Sequence, residues 1–118
     1  MAEEAEVKAL ASVAPANYKN DTERDYAEHL VLLRIAGAIY AWAYTSIRLR
    51  IGGKKGSPIF YTPDFMVILS DGQVEFHEVK GFWREAARVR IQAAAERYPF
   101  FKFVAISRVK GAWQFEEF

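Results

Sequence analysis

The chain has 118 residues, of which 52% are hydrophobic and 15% aromatic, with a formal net charge of +1 and no cysteine. This length predicts a single domain, and the apolar content excludes an intrinsically disordered protein. The lack of cysteine excludes a disulfide framework and a thiolate metal site. The acidic N-terminal stretch lacks the features of a signal peptide, and no apolar segment is long enough to span a membrane. A cytoplasmic location is therefore expected.

An arm and a helix are predicted at the start of the chain. Residues 1–19, which are rich in alanine and glutamate, predict a flexible N-terminal arm, and residues 20–118 predict one folded domain. Asn20 is followed three positions later by Glu23, a spacing that resembles a capping box and predicts the start of a helix. Apolar residues then follow at helical spacing as far as Gly37, which is suited to ending the helix.

The middle of the chain predicts mainly strands. Residues 38–46, AIYAWAYTS, fit either a continued helix or a strand, and residues 47–51 alternate between apolar and basic side chains as a strand does. The glycines and lysines of residues 52–56 predict a turn or a flexible loop. Residues 65–69 are all apolar, which predicts a strand covered on both faces, and residues 70–72 predict a tight turn.

The last third of the chain predicts a strand–helix–strand unit. Residues 73–80 form the return strand of a hairpin, residues 83–98 a helix that Pro99 stops, and residues 100–106 an apolar strand. A short final strand is expected over residues 113–118. The two strands that flank the helix are expected to be parallel. The predicted fold class is therefore α+β, with a mixed sheet flanked by helices.

Ionic residues stand at one end of the predicted hairpin. The turn sets a register in which Met66 faces Phe76 and Asp64 faces Glu78, with Lys80 on the same face as Glu78. Two opposed carboxylates lie about 5 Å apart at Cβ and repel each other. Three kinds of compensation remain open: an ion pair with Lys80, protonation of one acid, or a divalent cation between them. Alternatively, Asp64, Glu78 and Lys80 are ordinary charged residues at the edge of the hairpin and have no functional role.

The same residues resemble a known family motif. YTPDF followed by HEVKGFW is similar to the PD-(D/E)XK nuclease superfamily, with Pro63-Asp64 as the PD and Glu78-Val79-Lys80 as the (D/E)xK. The likeness extends to small phage-encoded endonucleases of that superfamily, through TERDYAEHL in the first helix, RYP at the end of the second and FKFVAI in the strand that follows. It covers residues 20–118, nearly the whole domain.

This resemblance implies a fold, an activity and a set of site residues. The implied fold is a restriction-endonuclease-like αβββαβ core, and the implied activity is that of a Mg²⁺-dependent DNA endonuclease in which Mn²⁺ substitutes and no organic cofactor takes part. Asp64 and Glu78 would be metal ligands together with the backbone carbonyl of Val79, and Lys80 would activate the attacking water. Glu23 would complete or orient the site, although its place in a capping box explains it equally well.

DNA contacts are predicted at two basic groups. Arg84 and Arg88 follow the catalytic strand one helical turn apart and suit backbone phosphates, whereas Arg90 is expected on another side of the helix. Lys54 and Lys55 lie in the glycine-rich segment, where DNA contact and ordinary solubility are equally good explanations. The sequence shows no motif for reading bases, so contact through phosphates is favoured.

Several alternatives stay open at this level. The enzyme would either resolve branched DNA such as Holliday junctions or nick DNA, in phage DNA processing within a bacterial or phage-infected cell. The aromatic residues at 100–101 and 113–118 fit a homodimer interface or the core. A catalytically inactive module that binds nucleic acid or protein on the same fold is the other functional hypothesis. His77 is expected on the face opposite Glu78, in a packing role.

Overall fold

The computed structural model describes residues 18–80 and 85–118. The predictions for residues 1–17 of the arm and for Arg84 lie outside these described ranges. The elements, in chain order, are α1 (Asp21–Ile35), β1 (Ile39–Tyr44), β2 (Leu49–Lys54), β3 (Ser57–Tyr61), β4 (Phe65–Leu69), β5 (Val74–Val79), α2 (Glu85–Arg97), β6 (Lys102–Val109) and β7 (Ala112–Glu117). Five strands form a mixed sheet in the order β1-β4-β5-β6-β7, and β2 and β3 form a separate two-stranded sheet. The predicted α+β class with an αβββαβ-like arrangement is confirmed.

The first helix begins where the sequence predicts. The Asn20 side chain accepts a hydrogen bond from the Glu23 backbone N–H at 2.9 Å, which satisfies one of the unpaired amides of the first turn. The helix ends at Ile35, and Gly37 follows with a φ of 80°, a left-handed conformation that glycine adopts without strain. Tyr18 packs against the same core as this helix.

The segment that the sequence left open between helix and strand is β1. It pairs antiparallel with β4, with Trp42 opposite Val67. Trp42 is 2% exposed and its ring centre lies 5.8 Å from that of Phe65. Pairing and burial of this kind arise only in the folded chain. They select the strand over the helix, two conformations that the residues allow equally.

The β4–β5 hairpin has the predicted register. Met66 pairs with Phe76, and the three-residue turn 70–72 contains Gly72 with a φ of 90°. Strand β5 then pairs in parallel with β6 through the crossover that includes α2, as predicted. This arrangement makes β5 a central strand with one helix on each of its faces.

The prediction of a turn or flexible loop over residues 52–56 is wrong in extent. Gly52, Gly53 and Lys54 belong to β2, the turn occupies only residues 55–56, and β3 was not predicted at all. Glycine is depleted in strands, which hides this hairpin from a propensity argument. Gly53 has a φ of 90°, and a Cβ atom there would lie 2.3 Å from the carbonyl oxygen of Ser57.

The Gly53→Ala variant is expected to lose stability because of this close approach. Both backbone strain at positive φ and a clash with Ser57 oppose a methyl group there, and we expect a loss of ~2–3 kcal/mol in the free energy of unfolding. Gly56→Ala is the matched control, since Gly56 has a φ of 84° with open space around it. Urea denaturation should show a smaller loss for Gly56→Ala, and equal losses would contradict a clash at Gly53.

Two apolar clusters fill the molecule, one on each face of the sheet. Helix α1 contributes Tyr26 and Leu30 to the first cluster, which includes Phe65 and Ile106. Helix α2 contributes Ile91 and Ala94 to the second cluster, which also includes Leu49, Tyr61, Phe76 and Phe103. The β2–β3 hairpin is thus attached to the α2 face of the sheet. Within the described residues, neither helix is long and apolar enough to cross a membrane.

Candidate active site

Two acidic side chains meet where β4 begins and β5 ends. Asp64 and Glu78 are 8% and 7% exposed. The Asp64 backbone N–H donates to Glu78 Oε1 at 3.3 Å, and the Val79 backbone N–H donates to Asp64 Oδ2 at 2.8 Å. Each carboxylate therefore binds the main chain of the opposite strand. The structure brings together the two acids that the hairpin register places opposite each other.

A lysine and a tyrosine complete the surroundings of Glu78. The Lys80 ammonium lies 3.2 Å from Glu78 Oε2, and the Tyr61 hydroxyl donates to Glu78 Oε1 at 3.0 Å. Burial and the nearby charge of Glu78 raise the pKa of Tyr61 well above its usual range, so the hydroxyl stays a donor. Glu78 is thereby fixed in one orientation.

The ionised form of the Asp64 side chain is electrostatically unfavourable in the folded protein. Burial is the largest cause and the charge of Glu78 the second, and together they raise the pKa of Asp64 to about 8, against the opposing effect of the Val79 hydrogen bond. Of the three compensations that the sequence leaves open, the structure shows the ion pair between Lys80 and Glu78 and a tendency of Asp64 to hold a proton. The negative charge at Asp64 is only partly compensated by protein groups.

Glu23 lies in the first turn of α1 and is almost fully buried, with 1% exposure. Its backbone N–H serves the helix cap, while its carboxylate accepts a hydrogen bond from the Tyr44 hydroxyl at 3.0 Å. Burial, with a contribution from Glu23, raises the pKa of Tyr44 to about 12. The charge of Glu23 also contributes to the raised pKa of Asp64. Glu23 is thus part of the cap and of the acidic surroundings of Asp64 at once.

The acids open into a cleft of about 330 Å³. Its lining residues are Lys19, Phe60, Tyr61, Thr62, Asp64, Glu78, Lys80, Ala87 and Arg90. The β2–β3 hairpin and the residues after it form one wall of the cleft, and α2 forms another. The cleft is lined by both acidic and basic groups, so it offers contacts to a cation and to an anion such as a phosphate.

The predicted basic contacts are distributed differently around this cleft. Arg88 points toward β7, where it forms a two-point ion pair with Glu116 at 3.1 and 2.6 Å. Arg90, which the sequence places on another side of the helix, lines the cleft. Lys54 and Lys55 are exposed at the far end of the β2–β3 hairpin, apart from the carboxylates. The structure therefore brings Arg90, and not Arg88, to the acidic pair.

His77 faces away from the cleft, as expected. Its Nδ1 lies 2.7 Å from the Tyr26 hydroxyl and its Nε2 lies 2.9 Å from Glu75 Oε1. The ring is 6% exposed beneath α1. These contacts give His77 a packing role between the sheet and the first helix.

Tyr61, Tyr44 and Arg90 are site residues that sequence reasoning missed. A signal for Arg90 exists, because Ile91 and Ala94 are the buried residues of α2, and Arg90, one position before the first and four before the second, lies beside them on the helix surface. No comparable signal marks Tyr61, since the strand that carries it was not predicted. Tyr44 of β1 donates to Glu23 of α1, and Tyr61 of β3 donates to Glu78 of β5, so only the tertiary fold brings each pair together.

The donor set suits a hard divalent cation. Magnesium commonly takes one or two carboxylates from the protein and completes its shell with water and phosphate oxygens. Asp64 and Glu78 provide two such carboxylates, and the incomplete compensation at Asp64 favours a cation there. Among residues 18–80 and 85–118, no three His, Cys, Asp or Glu side chains form a group that could hold a metal ion. Residues 64 and 78 therefore fit Mg²⁺ only with water, main-chain or phosphate ligands added.

A protein-family model covers most of the chain. Residues 15–113 match the family model DUF1064, which is described as a protein of unknown function. No curated protein and no solved structure matches the chain.

Proposed function

The chain belongs to the DUF1064 family, and we propose that it is a Mg²⁺-dependent endonuclease that hydrolyses phosphodiester bonds in DNA. The observation that carries this proposal is the pair of buried carboxylates, Asp64 and Glu78, with Lys80 3.2 Å from Glu78, inside a cleft that Arg90 also lines. Burying like charges together is costly, and a catalytic metal centre is a physical reason to keep them. The resemblance of residues 61–83 to the PD-(D/E)XK motif supports the same activity.

Each side chain has a separate task in this proposal. Asp64 and Glu78 would hold the metal with the Val79 carbonyl, and Tyr61 keeps Glu78 in place through its hydroxyl. Mg²⁺, when bound, neutralises charge that develops on the phosphate oxygens and lowers the pKa of a coordinated water. Lys80 orients the attacking water.

Two further groups support the carboxylate pair, Glu23 from the buried first turn of α1 and Arg90 from the lining of the cleft. Glu23 adds negative charge next to Asp64 and favours the cation, while its hydrogen bond to Tyr44 fixes its position. Arg90 binds a phosphate oxygen of the substrate, for which a guanidinium is well suited. The protein thus supplies a cation site and an anion-binding side chain within one cleft.

The biological setting forms part of the proposal. The enzyme acts on DNA through backbone phosphates, with Mn²⁺ as a substitute metal, in phage DNA processing in the cytoplasm. Resolution of branched DNA would require two such sites and hence a homodimer, whereas nicking requires one.

Cleavage of supercoiled plasmid and of a synthetic four-way junction tests the proposal. We expect nicked or linear products with Mg²⁺ or Mn²⁺ and none with EDTA, and we expect Asp64→Asn to abolish them. Asp71→Asn is the matched control, because Asp71 is exposed in the β4–β5 turn and is expected to leave cleavage unchanged. Binding without cleavage under every metal would contradict the endonuclease and favour a binding module on the same fold.

A further inference from the structure

The β2–β3 hairpin carries an unusual concentration of positive charge. Residues 46–63 contain Arg48, Arg50, Lys54 and Lys55 and neither aspartate nor glutamate, whereas the whole chain has a net charge of only +1. All four basic residues are exposed. A segment with charge of one sign attracts a partner of the opposite sign even when the molecule as a whole is nearly neutral.

The hairpin is firmly attached at its base and open at its far end. Leu49 and Tyr61 are 8% and 7% exposed and pack in the cluster under α2. The Tyr98 hydroxyl at the end of α2 donates to the Arg50 carbonyl oxygen at 2.7 Å. Lys54 and Lys55, at the turn, are exposed. The hairpin therefore presents its charges on a support that is fixed to the body of the protein.

The base of the hairpin also forms a wall of the proposed active site. Phe60 and Tyr61 line the cleft that holds Asp64 and Glu78. A strand of nucleic acid that enters this cleft therefore meets the hairpin next. The continuity between cleft and hairpin indicates that both contact the same ligand.

A stacking surface lies at this junction. The Arg48 guanidinium carbon lies 3.9 Å from the centre of the Phe60 ring, and the Phe60 side chain remains 37% exposed. Arg50 is engaged differently, because its guanidinium donates to the carbonyl oxygens of Gly52 and Gly53. Exposed aromatic rings and guanidinium planes are the groups on which proteins stack unpaired bases. In a duplex, base faces are already stacked on their neighbours and do not offer this contact.

We infer that the β2–β3 hairpin is an arm that binds DNA with a single-stranded segment, with Arg48 and Phe60 stacking on an unpaired base beside the cleft. Lys54 and Lys55 contact the phosphates farther along the same strand. The inference rests on the proposed function in one respect, namely that DNA lies in the cleft. It narrows the substrate to DNA in which a single strand adjoins the scissile phosphate, such as a flap or a branch.

Fluorescence anisotropy in EDTA tests the stacking contact separately from cleavage. The probes are a single-stranded oligonucleotide, its duplex, and the duplex with a single-stranded flap. For the wild type we expect tighter binding to the single strand and the flap than to the duplex. Phe60→Leu should weaken binding to the first two roughly tenfold or more and change duplex binding little, because stacking on the ring is lost. Phe60→Trp should retain the affinity.

Ile59→Ala is the matched control for the ring. Ile59 is the adjacent residue of β3, is 54% exposed and points to the other face of the strand. It is expected to bind all three probes as the wild type does. Equal effects of Phe60→Leu and Ile59→Ala, or equal weakening of single-strand and duplex binding by Phe60→Leu, would overturn the inference.

The salt dependence of binding tests the phosphate contacts of Lys54 and Lys55. Lys54→Gln and Lys55→Gln should each reduce the slope of log affinity against log salt by about one, whereas Lys110→Gln, in the β6–β7 turn, should not. An unchanged slope in both arm variants would contradict phosphate contacts there.

Since these measurements need no metal, a protein that binds flaps through Phe60 but never cuts contradicts only the endonuclease. If the wild type cuts with Mg²⁺ but the Phe60→Leu variant binds all three probes with wild-type affinity, only the arm is contradicted.

Discussion

Asp64→Asn is expected to make the protein more stable above pH 8 in EDTA, although it removes the proposed activity. The folded chain raises the pKa of Asp64 to about 8, whereas an aspartate in an unfolded chain has a pKa near ~4. Between these two values the folded state binds a proton that the unfolded state has released. Folding stability is therefore lost as the pH rises through this window, and the full cost remains above it.

Asparagine removes this cost without removing the local hydrogen bond. Its side-chain oxygen can still accept from the Val79 N–H, which Asp64 Oδ2 now does at 2.8 Å. The stability difference between Asp64→Asn and the wild type should be small near pH 4, grow as the pH rises, and reach ~5 kcal/mol near pH 9. Thermal denaturation at several pH values in EDTA measures this difference.

Two comparisons make the stability result specific to Asp64. Asp71→Asn, which keeps an acceptor for the Gln73 N–H, should show no such pH-dependent gain. Mg²⁺ should raise the melting temperature of the wild type at pH 9 and leave that of Asp64→Asn nearly unchanged. A variant that is less stable than the wild type at pH 9 would show that the Asp64 anion is well accommodated and would contradict a cation site that compensates its charge.

Lys80→Met is expected to separate metal binding from catalysis. The ammonium lies 3.2 Å from Glu78, so it competes with a cation for the same carboxylate and repels it. Its removal should leave Mg²⁺ affinity unchanged or increase it, while the cleavage rate with saturating Mg²⁺ falls ~100-fold or more, because the attacking water loses the group that orients it. Isothermal titration with Mg²⁺ and single-turnover cleavage measure the two quantities.

A purely structural role for Lys80 would give a different pattern. If the lysine only stabilised the fold around Glu78, then metal affinity and rate would decrease together, along with the melting temperature. Lys110→Met, which removes an equivalent charge from an exposed turn, should alter neither quantity. A Lys80→Met enzyme with wild-type rate would remove the lysine from the proposed mechanism.

The central hairpin was predictable from the sequence, because local geometry determines it. The turn Ser70-Asp71-Gly72 fixes how the two strands pair, and alternation then decides which face each side chain takes. The opposition of Asp64 and Glu78 and the separate face of His77 follow from these two rules alone.

The second hairpin and its contributions could not be predicted in the same way. Gly52 and Gly53 lie within a strand, and the positive φ of Gly53 accompanies a shift in strand register between Arg50 and Gly52. Such irregular pairing leaves no alternating pattern to recognise. The roles of Tyr61 and Phe60 at the cleft depend on that hairpin and were missed with it.

The hydrogen bonds that Asp64 and Glu78 make to the main chain of opposite strands have an evolutionary consequence. Amide side chains offer an acceptor oxygen in nearly the same position, so the acids can be exchanged for asparagine or glutamine while the strand ends stay joined. Selection for folding alone therefore does not eliminate variants that have lost the charge at position 64 or 78. Relatives that carry such amides would remain folded while lacking the proposed metal site.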